Sequence, residues 1–260
     1  MGDSVSRREF VSTMGLTVAS SLLAKSSPTK PPSADLSTSP FRIAVINDEI
    51  SQDFGRACGV VSGFGMKWVE LRGMWNKNIL DLDSHEIAES LRLLKKYDLR
   101  VTDIASPLFK VDWPGAPTSK FSPKHDQFNA HFGFDQQDEV LEKSIELART
   151  FGTDRVRCFD FWRLEDPKPY RHAINEKLRD AAEKAGQKKL ILLLENEPAC
   201  NTATGTEAAQ VLAAIENPRF MLNWDPGNAA AMGEEAFPTA YAALPAQRIG
   251  HCHCKDVVRN

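Results

Sequence analysis

Short apolar runs recur along the chain, and most of them stop at a polar or helix-breaking residue. Residues 41–46 (FRIAVI), 67–72 (KWVELR), 101–108 (VTDIASPL), 155–161 (RVRCFDF), 190–194 (LILLL), 220–224 (FMLNW) and 249–255 (IGHCHCK) are too short for buried helices and read as strands buried on both faces. Pro107 is expected to stop the third of them. Segments of helical period lie between. In 135–151, Val140, Leu141, Ile145, Leu147 and Ala148 recur at helical spacings and form one apolar stripe. Residues 82–84 (LDS) cap a helix running to about Tyr97, with Glu86 near its start and Lys95 and Lys96 near its end, as the helix dipole favours. Further helices are expected from the first strand to about Gly65 and over 170–186. Strand–helix alternation of this kind predicts parallel strands joined by right-handed crossovers, an α/β barrel.

One connection breaks the rhythm. Residues 111–136 carry Trp113, Pro114, Pro117 and Pro123 together with Phe121, His125, Phe128 and His131. A connection that long inside a compact domain is usually functional or disordered. Its aromatic rings argue for order, so the segment reads as a lid over one rim of the barrel.

The last three strands carry the candidate chemistry. Residues 190–194 run into Glu195, 220–224 into Asp225, and 249–250 into His251 and His253; Pro198 and Pro226-Gly227 follow the first two. The polar groups therefore stand at the C-terminal strand ends, the rim where barrel enzymes do their chemistry. Strand alternation puts Glu195 and Glu197 on one face, Asn223 and Asp225 on one face, and His251, His253 and Lys255 on one face. If the histidines face the barrel axis, Cys252 and Cys254 are expected to pack under outer helices. Carboxylate oxygen with imidazole suits Mn²⁺, Co²⁺, Mg²⁺ or Zn²⁺, and affinity order does not choose among them. Read singly, the histidines also fit core residues bonded to backbone, and Glu195 and Asp225 fit caps of loop amides. A structural zinc on Cys252 and Cys254 lacks a second cysteine pair at finger spacing. Trp75, Phe109, Trp113 and Trp162 follow strand ends, where rings stack on sugar C–H faces; taken alone, each reads as packing.

Composition narrows the partners. Hydrophobic residues make up 42% and charged residues 26% of the 260, ordinary for a globular chain. Basic residues (32) nearly balance acidic ones (35), so no global field draws the protein to nucleic acid or acidic lipid. Five scattered cysteines do not form a disulfide framework. Residues 1–40 stand apart: Arg7-Arg8, a weakly apolar run over 14–24, then a Ser-, Pro- and Thr-rich linker. This pattern reads as a twin-arginine signal, too short and polar to insert stably in a membrane, and predicts export to the periplasm. The barrel domain is then 41–260.

Asp48-Glu49-Ile50-Ser51, Val69-Glu70-Leu71-Arg72, Leu194-Glu195-Asn196, Asp225-Pro226-Gly227-Asn228 and His251-x-His253-x-Lys255-Asp256 occur in this order. In these stretches the chain resembles the xylose-isomerase-like superfamily, a (β/α)8 TIM barrel, and within it the sugar phosphate isomerase/epimerase group. The resemblance implies Glu195, Asp225 and His253 as ligands of a divalent metal, with Asn228 beside the substrate. It implies proton abstraction next to a carbonyl through an enediolate, with Glu195 as an acid–base group. Lys255 reads either as a partner of the enediolate oxygen or a phosphate, or as a solvated strand-end lysine. Glu70, Glu197, Asn228, His251 and Trp113 are expected to line the substrate, a small sugar or polyol, and a homo-oligomer is compatible with the sequence.

The family's fourth ligand, a glutamate on an eighth strand, has no counterpart in the seven strands counted here. The barrel is therefore expected to be incomplete, lacking a last helix–strand–helix portion, and this chain to be inactive. Three other functions fit the same resemblance: an inosose-type dehydratase, a non-catalytic exported sugar-binding module, and an apurinic endonuclease, which the balanced charge disfavours.

Overall fold

A computed structural model describes residues 39–122 and 128–255; the twin-arginine stretch lies outside them, as does His125. The described chain begins with a single helical turn, α1 (Asn47–Ile50), and α2 (Phe54–Gly63), capped where Asp53 Oδ1 accepts the Arg56 N–H at 3.0 Å. There follow β1 (Trp68–Leu71), a small hairpin of β2 (Gly73–Met74) and β3 (Lys77–Asn78), α3 (Ser84–Lys96) and β4 (Arg100–Leu108). The cap expected at 82–84 is Asp83, and with Glu86, read from the sequence only as suited to the helix dipole, it forms a full capping box at the start of α3. The second half alternates regularly: α4 (Gln137–Thr150), β5 (Arg155–Cys158), α5 (Arg171–Gln187), β6 (Ile191–Glu195), α6 (Gly205–Ala214), β7 (Phe220–Trp224), α7 (Pro226–Ala231) and β8 (Ile249–Cys252).

Six strands form one parallel sheet in the order β1-β4-β5-β6-β7-β8, an incomplete α/β barrel. Leu192, Leu193, Leu194, Phe220 and Leu222 are wholly buried in it. Each such side chain contributes on the order of 1.5–3 kcal/mol, before the entropy of ordering it is set against that gain. Gly250 allows β8 to lie close to its neighbours: a Cβ there would stand 2.8 Å from Leu193 Cδ2. Among the described residues no helix is long and apolar enough to cross a membrane.

Several expectations need correction. The run 41–46 does not join the ladder as a strand. It touches β1 through one bridge, Ile46 to Glu70, and through the Glu70 N–H donated to Val45 O. With nothing described along its other side, Phe41 is 78% exposed. Pro107 lies inside β4 rather than ending it. The β4–β5 register shifts between Ile104 and Leu108, which accommodates a residue with no N–H to give. Cys252 and Cys254 are exposed, because no described helix covers that face of β8. Of 111–136, expected as a lid, residues 117–119 run along 163–165, where Ser119 N–H donates to Arg163 O at 2.7 Å and Thr118 bridges Leu164, while the Phe128 ring lies over Arg72, Lys110 and Arg157.

Candidate metal centre

Three strand ends converge as the alternation predicted. β6 delivers Glu195, Asp225 directly follows β7, and β8 turns His251 inward with His253 just beyond it. Glu195 and Asp225 are 4% and 1% exposed. One ligand atom from each of Glu195, Asp225 and His253 lies within 4.8 Å of the others, and Glu70, His251 and His253 form a second such group. His253 links the two: its Nδ1 is 3.1 Å from Glu195 Oε1 and its Nε2 is 3.1 Å from Glu70 Oε2. His251 Nε2 lies 3.2 Å from the same Glu70 oxygen, so side chains from opposite edges of the sheet meet across the interior.

Asp225 is fixed by the sequence around it. Pro226 opens α7, and Asp225 Oδ1 caps that helix by accepting the Asn228 N–H at 2.8 Å. Asn196 clamps the same residue from the neighbouring strand, accepting the Asp225 N–H and donating to its C=O, both at 2.8 Å. Lys255 Nζ lies 2.7 Å from Asp225 Oδ2 and 2.7 Å from Asn228 Oδ1. In the other half of the sheet, Arg72 pairs with Asp48 at 2.9 Å and Glu49 at 2.8 Å, which ties two of the quoted motifs together at the rim.

The electrostatics are those of a crowded, water-poor site. Burial by itself would raise the Glu70 carboxyl, but His253 and His251 outweigh it and hold it well below the usual carboxylate range. Glu195 is likewise opposed by burial yet lowered to about 2, chiefly by His253 and Arg157. Burial pulls His253 down, while Glu70 and Glu195 push it up more strongly, well above an ordinary imidazole. A cation ligated here must therefore displace a tightly held proton. Asp103 is raised to about 6, by burial and then by Glu70.

The residues present fit a divalent ion. Glu195 Oε2 and Asn223 Oδ1 are buried and accept no hydrogen bond among the described residues. Glu195 Oε2 lies 3.1 Å from the Arg157 guanidinium but outside hydrogen-bonding geometry. Buried oxygens left without donors, beside a carboxylate and imidazole set, are the donor chemistry that divalent cations satisfy.

Of the residues expected to line a substrate, Glu70, His251 and Asn228 stand at this centre. Glu197 is near enough to feel Lys110 and Glu195, with its carboxyl raised by burial against the pull of Lys110. Trp113 packs its ring edge-on against Phe161 at 4.8 Å and Phe134 at 5.4 Å. Arg157, Asp103 and Lys110 were not anticipated. Arg157 is 2% exposed, and its guanidinium donates to Ala105 O at 3.0 Å and pairs with Glu195. The signal was available: an arginine inside the buried run RVRC must point somewhere, and a barrel interior lined with carboxylates is the place that tolerates it.

No curated protein matches the chain. Solved structures do. The probable 3-DHS dehydratase AsbF from Bacillus anthracis, involved in petrobactin synthesis, is 20% identical with a TM-score of 0.63, over 84% of this chain and 74% of that one. A D-psicose 3-epimerase, solved in the presence of D-fructose, is 14% identical with a TM-score of 0.58, over 81% and 72%. The IolI protein, solved with a zinc atom bound, is 13% identical with a TM-score of 0.58, over 81% and 71%. At such identities the likeness is one of fold. The family model of the xylose isomerase-like TIM barrel matches residues 59–260, and the chain belongs to that family.

Proposed function

We propose that the protein is a divalent-metal-dependent enzyme of the isomerase/epimerase kind, removing a proton next to the carbonyl of a small polyhydroxy ketone. The observation that carries this reading is the convergence of Glu195, Asp225 and His253 within 4.8 Å, with a Glu195 oxygen left free of hydrogen bonds. Those three residues would hold the cation, and the zinc atom bound in a protein of the same fold supports a divalent ion. Bound there, the ion supplies Lewis-acid stabilisation of negative charge on a carbonyl oxygen.

The protein groups do the rest. Glu195 takes the proton through Oε2, the oxygen that accepts no hydrogen bond, and His253 and then Arg157 keep the carboxylate ionised. With the Nδ1 proton displaced by a cation, and Nε2–H still given to Glu70, the His253 ring would offer its Nδ1 lone pair to that cation; a carboxylate behind a ligating histidine fixes the tautomer in this way. Lys255, lying between Asp225 and Asn228, is placed to neutralise an oxyanion that forms beside them. Tight packing of Asn196 against Asp225 keeps the set from spreading.

The test is solvent exchange. Protein loaded with Mn²⁺ and incubated with D-fructose in D₂O is expected to wash deuterium into the carbon beside the carbonyl, followed by NMR, and to stop doing so with EDTA. Exchange needs only the first proton transfer, so it reports on Glu195 without requiring a complete epimerisation. Metal bound with no exchange into any ketose offered would leave a sugar-binding module. An ultraviolet-absorbing conjugated ketone would identify a dehydratase, which shares the proton abstraction and then expels a hydroxyl.

A further inference from the structure

Lys110 sits where lysines are rarely found. It is 3% exposed, two residues past the end of β4, in a pocket built by three aromatic rings. Its ammonium nitrogen lies 4.0 Å from the centre of the Phe128 ring, 4.6 Å from Phe159 and 5.5 Å from Trp162. Rings stabilise a cation through their faces, but they give the three N–H donors no lone pair to bond. Other buried charges of the interior have such partners: Arg157 has Glu195 and backbone carbonyls, Glu70 has two histidines, and Asp160 has Arg171 and Thr202. Among the described residues, the Lys110 ammonium has neither a hydrogen-bond acceptor nor an ion-pair partner.

The backbone is bent to place it there. Phe109 adopts φ 62, a left-handed conformation that is costly for an aromatic residue. It is held by its own N–H, which donates to Gln137 Oε1 at 2.7 Å, and by the Lys110 N–H donated to Pro107 O at 2.9 Å. The Lys110 charge reaches the metal centre: it helps to lower Glu195 and opposes the rise of Glu197. The rings offer the ammonium no acceptor, and no hydrogen bond joins it to the carboxylates of the site among the described residues. A buried ammonium without a hydrogen-bonded counter-charge favours an anionic oxygen over a neutral hydroxyl, because charge-assisted hydrogen bonds are the stronger ones.

We infer that Lys110 is a substrate-binding cation that recognises an anionic group, a carboxylate or a phosphate, on the ligand of this centre. The inference rests on the proposed function only for the ketone part of that ligand. Its test is isothermal titration of the full chain, with and without Mn²⁺, using D-fructose, D-fructose 6-phosphate and 5-keto-D-gluconate. Wild type is expected to bind at least one of the two anionic ketoses about tenfold or more tightly than fructose; which one identifies the anionic group. Lys110→Met should close that gap to about twofold or less while still binding Mn²⁺, and Lys110→Arg should preserve it. Equal affinity of wild type for all three, or an undiminished gap in folded Lys110→Met, overturns the inference. If Lys110→Met does not fold, the wild-type ranking and Lys110→Arg still decide. Failure of wild type to bind Mn²⁺ would count against the metal centre alone, because the ranking is read in metal-free protein as well.

Discussion

Replacing Asp225 with Asn is expected to weaken Mn²⁺ or Zn²⁺ binding by at least about 100-fold without unfolding the protein. The fold survives because Asn caps a helix as well as Asp does: its Oδ1 still accepts the Asn228 N–H that now bonds Asp225 at 2.8 Å. The clamp from Asn196 uses only the Asp225 backbone and is untouched. What disappears is the charge. Loss of a partner behind a metal ligand costs about 10–100-fold in affinity, and loss of a charged ligand itself should cost no less. Titration calorimetry with thermal melts separates the two effects. Unchanged affinity would remove Asp225 from the centre, and a collapsed melt would make it a structural residue.

Removing the buried guanidinium should act the other way, on stability first. Arg157→Leu is expected to destabilise the protein by about 3–5 kcal/mol, because it leaves Glu195 buried with its ion-paired guanidinium gone. It also strips a donor from Ala105 O. For a domain of this size that corresponds to a fall in melting temperature of roughly 6–20 °C. Saturating divalent metal should restore part of the loss by supplying the missing positive charge. A shift of less than about 1 kcal/mol would mean that His253 and Lys110 already compensate Glu195.

The same residues show what a sequence can carry. Glu195, Asp225, His251 and His253 were legible because each ends an apolar strand, and strand period fixes which neighbours share a face. The cap at 82–84 was legible from local sequence too, though the return bond from Glu86 to it was not. Features set by distant neighbours were not. Nothing in FRIAVI tells whether a second strand will pair with it, and in the structure it makes one bridge. The alternation correctly turned Cys252 and Cys254 away from the histidines, but it carries no information on what covers the far face. The hairpin at 73–78 turns through Trp75 and Asn76, both in left-handed conformations without glycine, so its usual turn signal is missing. Lys110 and Arg157 looked like ordinary charges because their burial depends on rings and carboxylates far away in sequence.

The central claim is that Glu195, Asp225 and His253 hold one divalent ion. X-ray absorption on the zinc-loaded protein tests it most directly. The expected result is one zinc per chain with oxygen and imidazole donors at about 2.0–2.2 Å, and loss of the imidazole contribution in His253→Ala. Contradiction would come from sulfur at about 2.3 Å, which would move the ion to Cys252 and Cys254, or from a His253→Ala spectrum identical to wild type.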